Sequence, residues 1–327
     1  MSSTIWPYLP DDERIAREEE HLAAELDWLL SALQETLPSL KSGLQECVDL
    51  LRPSEPGSTL ALSSLRSESV KGFITRIGTR VTKAQISLRL STLGSGWSNN
   101  SPAFPLRIHN PIQLPQLSHL LTLLNTSLDI IDISSWTGDP TNGHFIAGQL
   151  KLLSDTLEEA RATLKGGEDR AGGRNVMGRR DIGGGKWWDH VPHLAEAVSE
   201  SAWEALPPTL APHLTICDAA VVLTIRTLGP PSAQNDAFSL SGLSLRSKLG
   251  LGARPQVHDE MDQTFTLNRG NGGSGQAGEE VGVREKVRVE SQDPSLMAVM
   301  AKLSVLSHEV KAWRLKVAIV MEEEIDI

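Results

Sequence analysis

Along this chain apolar residues recur at alternating steps of three and four. In "QLPQLSHLLTLLNTSLDII", residues 113–131, the spacing is held by Leu114, Leu117, Leu121, Leu124, Leu128 and Ile131. That puts them on one stripe of an α-helix. The same register runs through Leu26, Leu30, Leu33, Leu37, Leu40, Leu44, Cys47 and Leu51. It returns in Ile146, Leu150, Leu153, Leu157, Ala160 and Leu164, and in Leu296, Val299, Leu303, Leu306, Val310, Trp313, Val317 and Val320. A further stripe of Leu210, Leu214, Cys217, Val221 and Leu228 predicts a helix over 210–228. Pro38 lies inside the first helix and lacks a backbone donor, at a cost of roughly 3 kcal/mol. The register continues past it, so the spacing predicts a bend, with Pro53 ending the helix. Asp293 is placed to cap the last helix, with Pro294 in its first turn.

Between the first two helices the period changes. Ile86, Leu88 and Leu90 alternate with polar residues, and Phe73, Ile77 and Val81 occupy strand-type positions. Gly72 and Gly78 suit turns or bulges. "FPLRIH" at 104–109, "QTFTLNR" and "EKVRVE" have the same look. Helices with one apolar stripe each can satisfy one another, since a buried Leu contributes roughly 1.5–3 kcal/mol. The expected fold is therefore α+β: an antiparallel helical bundle built from 11–52, 112–228 and 292–322, crossing at about 20°. A small antiparallel β-subdomain comes from 55–110 and 257–291. Gly- and Ser-rich stretches at 166–186, 229–256 and 268–280 are expected to be flexible loops or insertions.

The stripe at 114–131 has the register of a leucine zipper, which raises the question of DNA binding or dimerisation. A DNA-binding zipper needs a basic helix running straight into its heptads. The upstream segment "SGWSNNSPAFPLRIHNPIQ" has one Arg and three prolines instead. Net charge is −10 and the pI about 5.4, which disfavours a phosphate partner. Competing stripes in the same chain favour an intramolecular core, with Leu117, Leu121, Leu124 and Leu128 buried against the chain's own helices; a homodimeric coiled-coil adaptor is the alternative. The acidic start "DDERIAREEEHLAAELD" reads as a solvated helix beginning. No apolar run reaches the length of a membrane span and no signal peptide is visible, so an intracellular protein is expected. Two cysteines, Cys47 and Cys217, make no disulfide framework.

Candidate chemistry is sparse. Gly270, Gly272 and Gly275 match a dinucleotide fingerprint literally, but no βαβ unit surrounds them, and a hairpin loop is the expected reading. "KWWDHVPHL" gathers Trp187, Trp188, Asp189, His190 and His193, which could serve a ligand or metal; the tryptophans are read as anchors of a helix start or a hydrophobic seam, or as a partner contact. A small-ligand-binding protein or enzyme using Trp187–His193 is the alternative function. His144, His213, His258 and His308 form no constellation. Cys47 lies on the core stripe of the first helix and reads as an inert thiol. No catalytic, cofactor-binding or metal residues are assigned.

"SESVKGFITRIGTRVTKAQISLRL" resembles the Rogdi family, which includes the fungal RAVE subunit 2. The likeness lies in Val70-Lys71-Gly72, Gly78, and the block Lys83-Ala84-Gln85-Ile86-Ser87-Leu88. The acidic first helix, the Leu stripe at 114–131 and Leu206-Pro207 leading into an apolar helix follow in the family's order. The resemblance implies an elongated protein with a helical-bundle domain and a β domain, and a non-catalytic subunit of the RAVE (rabconnectin-type) complex that promotes V-ATPase assembly. It further implies a large β-propeller scaffold partner, contacts with the peripheral sector of the pump, no nucleic acid, no cofactor and no integral membrane segment. The implied location is the cytoplasm, with peripheral recruitment to vacuolar or endosomal membranes.

Overall fold

The computed structural model describes residues 10–64, 69–90, 92–93, 103–134, 142–166, 202–230, 258, 264–267 and 279–321. Among them are four helices and nine strands, and every strand pairing is antiparallel. The fold is α+β. It divides into two compact units, one of 1–51, 119–163 and 297–327 and the other of 52–118 and 164–296.

The helices are α1 (Asp11–Leu51), α2 (Pro115–Asp132), α3 (Gly143–Lys165) and α4 (Pro294–Val320). α1 runs unbroken through Pro38. Its stripe from Leu30 to Leu51 is buried, as is every expected core position of α3 from Ile146 to Leu164. In the helical unit, side chains link neighbouring helices. Lys41 of α1 pairs with Asp132 of α2 at 2.5 Å, and His119 of α2 meets Glu159 of α3 at 3.2 Å. Glu158 of α3 binds Lys311 of α4 at 2.8 Å, and Lys302 of α4 pairs with Glu46 of α1. Gly43 lies against Leu306, where a Cβ would come within 2.9 Å of the leucine Cδ2. Residues 43 and 46 therefore oppose 306 and 302, so α1 and α4 run antiparallel.

The zipper stripe is half right. Leu117 and Leu124 are 0% exposed, but Leu121 and Leu128 are only half-buried. The buried face instead follows Leu117, Leu120, Leu124, Ser127 and Ile131. Ser127 is tolerated there because its hydroxyl donates to the Leu123 carbonyl at 2.9 Å. A helix packed on several neighbours buries a face wider than the narrow seam of a two-stranded coil.

In the second unit, β1 (Ser58–Ser63), β2 (Val70–Ile77), β3 (Arg80–Leu88) and β4 (Phe104–Arg107) form a sheet in that order, with β5 (Ile112–Gln113) on β3. Gly78, at φ 59°, opens the two-residue turn between Ile77 and Arg80, where a positive φ matches the strand twist. Gly72 is glycine because β3 passes over it: a Cβ would sit 2.1 Å from the Gln85 carbonyl oxygen. Strand-type Phe73 turns outward, and Ile74 fills the core.

The helix expected over 210–228 does not exist. That segment is the hairpin of β6 (Leu210–Cys217) and β7 (Ala220–Gly229), joined at Asp218 and Ala219 with φ 48° and 56°. With β8 (Thr264–Leu267) and β9 (Glu279–Gln292) they form a second sheet, ordered β6-β7-β9-β8. The late strands pair with β7 in a sheet of their own, while both sheets lie in the second unit, and Leu206-Pro207 leads into a strand. Positive φ at both turn residues marks a type I′ hairpin turn. Pro212 is accepted because β6 is an edge strand. That edge is closed by Gln116 of α2, whose amide donates to the Ile216 carbonyl at 3.0 Å and accepts from the Ile216 amide at 2.7 Å.

A buried ion pair ties this unit together. Arg76 of β2 is 3% exposed and Asp293, just after β9, is 0% exposed. Arg76 Nε donates to Asp293 Oδ2 at 2.6 Å, and its other nitrogens reach the Gly78 carbonyl and the Ser295 hydroxyl. Asp293 Oδ1 accepts from the Ser295 amide at 3.0 Å and hydroxyl at 2.7 Å, so it caps α4 as its position suggested. Burial pushes the Asp293 carboxyl up, but Arg76 and the Ser295 donors outweigh it and hold the carboxyl below its ordinary range.

Three outcomes follow for stability. Leu124→Ala should lower unfolding free energy by about 2–5 kcal/mol in urea titration, and Leu121→Ala by clearly less; equal losses would restore the zipper seam. Arg76→Met leaves a buried carboxylate unpaired and should cost about 3–5 kcal/mol. Because the folded pKa of Asp293 lies below its unfolded value, its stabilisation is present above about pH 4 and is lost on further acidification. Asp293→Asn should therefore flatten the acid side of a melting-temperature series; an unchanged slope would refute that assignment.

Candidate functional site

The sequence-derived candidates do not come together. Trp187, Trp188, Asp189, His190 and His193 lie outside the described residues, as do Gly270, Gly272 and Gly275. His144 and His308 are exposed on α3 and α4, and His213 and His258 are half-buried. Among the described residues no three His, Cys, Asp or Glu side chains cluster as a metal site.

The strongly perturbed groups hold elements together. Glu158 on α3 accepts from Lys311 at 2.8 Å, from Arg161 at 2.8 and 3.1 Å, and from the Ser307 hydroxyl at 2.5 Å. Burial opposes ionisation there, but Lys311, Ser307 and Arg161 bring its pKa down from 4.5 to about 2. Such a carboxylate stays ionised at neutral pH and is a poor proton donor. Its stabilising effect is full above pH 4.5 and falls away below it, and solvent screening of this partly exposed cluster keeps it modest.

Burial raises the Cys47 thiol to about 11, with Lys302 opposing weakly. The thiol stays protonated and matches the inert core cysteine expected. Cys217 is raised by burial too, against the pull of Arg288. Arg76 and Asp293 are fully engaged with each other, Gly78 and Ser295.

What the molecule does present is uncovered surface. The first ten residues of α1 are all exposed, with Asp11, Asp12, Glu13, Glu18, Glu19 and Glu20 among them. They form a solvated, negative helix start. α4 carries two apolar stripes. Its inner stripe is buried, and its outer one runs through Met297, Ala301, Val305, Leu315 and Ile319, with Val305 66% and Ile319 64% exposed. That outer stripe keeps helical spacing of its own, a signal already present in the sequence but masked by the inner stripe. α4 is thus apolar on both sides, with one side uncovered among the described residues.

The first sheet presents a different face. One side is core: Leu60, Leu62, Ile74, Ala84, Ile86 and Leu106 are buried. On the other side Phe73, Gln85 and Arg107 stand in one row, because Phe73 pairs with Gln85 and Gln85 with Arg107. Lys71 and Lys83 flank that row, both exposed.

No curated protein matches the chain. A family model described as Rogdi leucine zipper containing protein matches residues 25–318, which takes in most of the described helices and all the strands.

Proposed function

The chain belongs to the family of Rogdi leucine zipper containing proteins, and on that premise we propose that it is a non-catalytic scaffold or adaptor subunit of a RAVE (rabconnectin-type) complex that promotes assembly and reassembly of the vacuolar proton-transporting V-ATPase. The family match across 25–318 carries this reading. Two features support it: an apolar outer stripe on α4 and an uncovered polar sheet face, both suited to holding other proteins. In this reading the helices form an elongated antiparallel bundle that acts as a strut. A large β-propeller scaffold subunit and the peripheral sector of the pump are held against its outer surfaces, and this chain consumes no ATP. The chain works in the cytoplasm and reaches vacuolar or endosomal membranes through its partners. Among the described residues no helix is long and apolar enough to cross a membrane itself.

The second reading is a homodimeric adaptor, favoured by the outer stripe of α4, which a second copy could cover. Light scattering at high protein concentration separates the two, since a monomer mass removes the dimer. For the assembly reading, cells lacking the gene should show raised vacuolar pH and fewer assembled pumps after glucose is restored. Normal acidification together with normal reassembly would reject it.

A further inference from the structure

We propose that the outer face of the sheet β1–β4 is a docking site for an acidic protein segment with an apolar side chain at its centre. The face is built around Phe73, which is 41% exposed at the middle of β2. The core side of the same strand is filled by Ile74, and the uncovered part of the Phe73 ring remains open to a partner. Around it stand Lys71 on the same strand, Lys83 and Gln85 on β3, and Arg107 on β4, all exposed. Strands lie about 4.8 Å apart, and alternate residues along one strand about 7 Å apart. The three cations therefore surround the Phe73 ring within roughly 10 Å of backbone, and their long side chains can lean over it.

Among the described residues no ion pair holds Lys71 or Lys83, whereas Arg107 faces an acid: the Glu204 amide donates to the Arg107 carbonyl at 2.9 Å, which sets Glu204 across from it at the edge of β4. The remaining outward positions of these strands are Thr59, Ala61 and Ser63 on β1, Thr75 on β2, Ser87 on β3 and Pro105 on β4, none of them a carboxylate. Elsewhere the described lysines pair readily: Lys41 with Asp132, Lys302 with Glu46, Lys311 with Glu158. A chain of net charge −10 thus sets two lysines beside an aromatic on one sheet face and keeps the acid of that face, Glu204, at its β4 edge.

The occupant follows from that chemistry. Carboxylates of a bound segment would answer Lys71 and Lys83 first, with Arg107 shared between the segment and Glu204, and an apolar side chain would cover the Phe73 ring. A nucleic acid fits less well. Sheets that read RNA stack two or three bases on several aromatics, and here Phe73 is flanked by Ala61 and Gln85. The excess negative charge of the chain also repels a long polyanion. The docking site is argued from the sheet alone and stands or falls apart from the V-ATPase reading.

The test uses the full chain and a short labelled peptide of alternating Glu and Leu, with binding read by fluorescence anisotropy at low and physiological salt. Two controls run beside it: the same peptide with Lys in place of Glu, and a single-stranded RNA oligonucleotide of matched charge. The acidic peptide should bind saturably and weaken with salt. Combined Lys71→Glu, Lys83→Glu and Arg107→Glu should lower affinity about tenfold or more and abolish the salt dependence. Phe73→Ala should lower it about tenfold at both salts. Lys151→Glu, on exposed α3 surface, should change nothing. All these positions are exposed, so melting temperatures should stay at the wild-type value. Absence of saturable binding, affinity within about twofold of wild type in the triple reversal, or tighter binding of the RNA than of the peptide would each overturn the proposal.

Discussion

Arg76 and Asp293 meet within the second unit, where β2 and the end of β9 reach the first residues of α4. Arg76 belongs to β2, Asp293 follows β9, and Asp293 with Ser295 sets the first turn of α4. One carboxylate is thereby shared between a salt bridge and a helix cap. Burying two charges is expensive unless each hydrogen-bonding position is filled, and here the filling is dense. The Arg76 guanidinium reaches a carboxylate, the Gly78 carbonyl and the Ser295 hydroxyl. The Gly78 turn is consequently tied to the same knot that starts α4. A change at any of the four residues leaves a partner unsatisfied in a site closed to water, so the cluster specifies one arrangement of β2 against the end of β9 more strongly than apolar packing would.

The helical part of the chain was legible because each helix buries one side, which imprints a period of three and four on its sequence. The stripes of α1 and α3 match their buried residues almost position for position. The zipper register of α2 was misread only in its phase. Leucine fills Leu121 and Leu128 as readily as Leu120 and Leu124, so the sequence offers two overlapping stripes, and contact with more than one helix decides which is innermost. α4 shows the same ambiguity in stronger form, since both of its sides are apolar and only burial tells them apart.

The strands of the second sheet were less legible for a physical reason. β7 is buried along nearly its whole length, so it lacks the alternation that marks a half-exposed strand. Apolar residues without alternation can be fitted to a helical stripe, and Leu210, Leu214, Cys217, Val221 and Leu228 were. The corrective signal was local: Val221, Val222, Thr224, Ile225 and Thr227 are β-branched and crowd a helix, and Pro212 would break one. The cationic sheet face was half visible. The alternation of Lys71 with Phe73, and of Lys83 with Gln85, places each pair on one side of a strand. That Arg107 completes the row depends on the register of β4 against β3, which no local pattern encodes.

The uncovered surfaces divide the work of binding in two ways. An apolar stripe such as that on α4 supplies area and a slow off-rate, but discriminates poorly among apolar partners. A cationic face around one aromatic adds orientation and a salt-sensitive on-rate, and rejects basic partners by repulsion. In an acidic chain the second kind of surface has a further effect. A net charge of −10 opposes anions in general, so an acidic segment is drawn in only where lysines such as Lys71 and Lys83 concentrate positive charge locally. In the proposed adaptor role, such selectivity would decide which segment is held at the sheet and in which orientation.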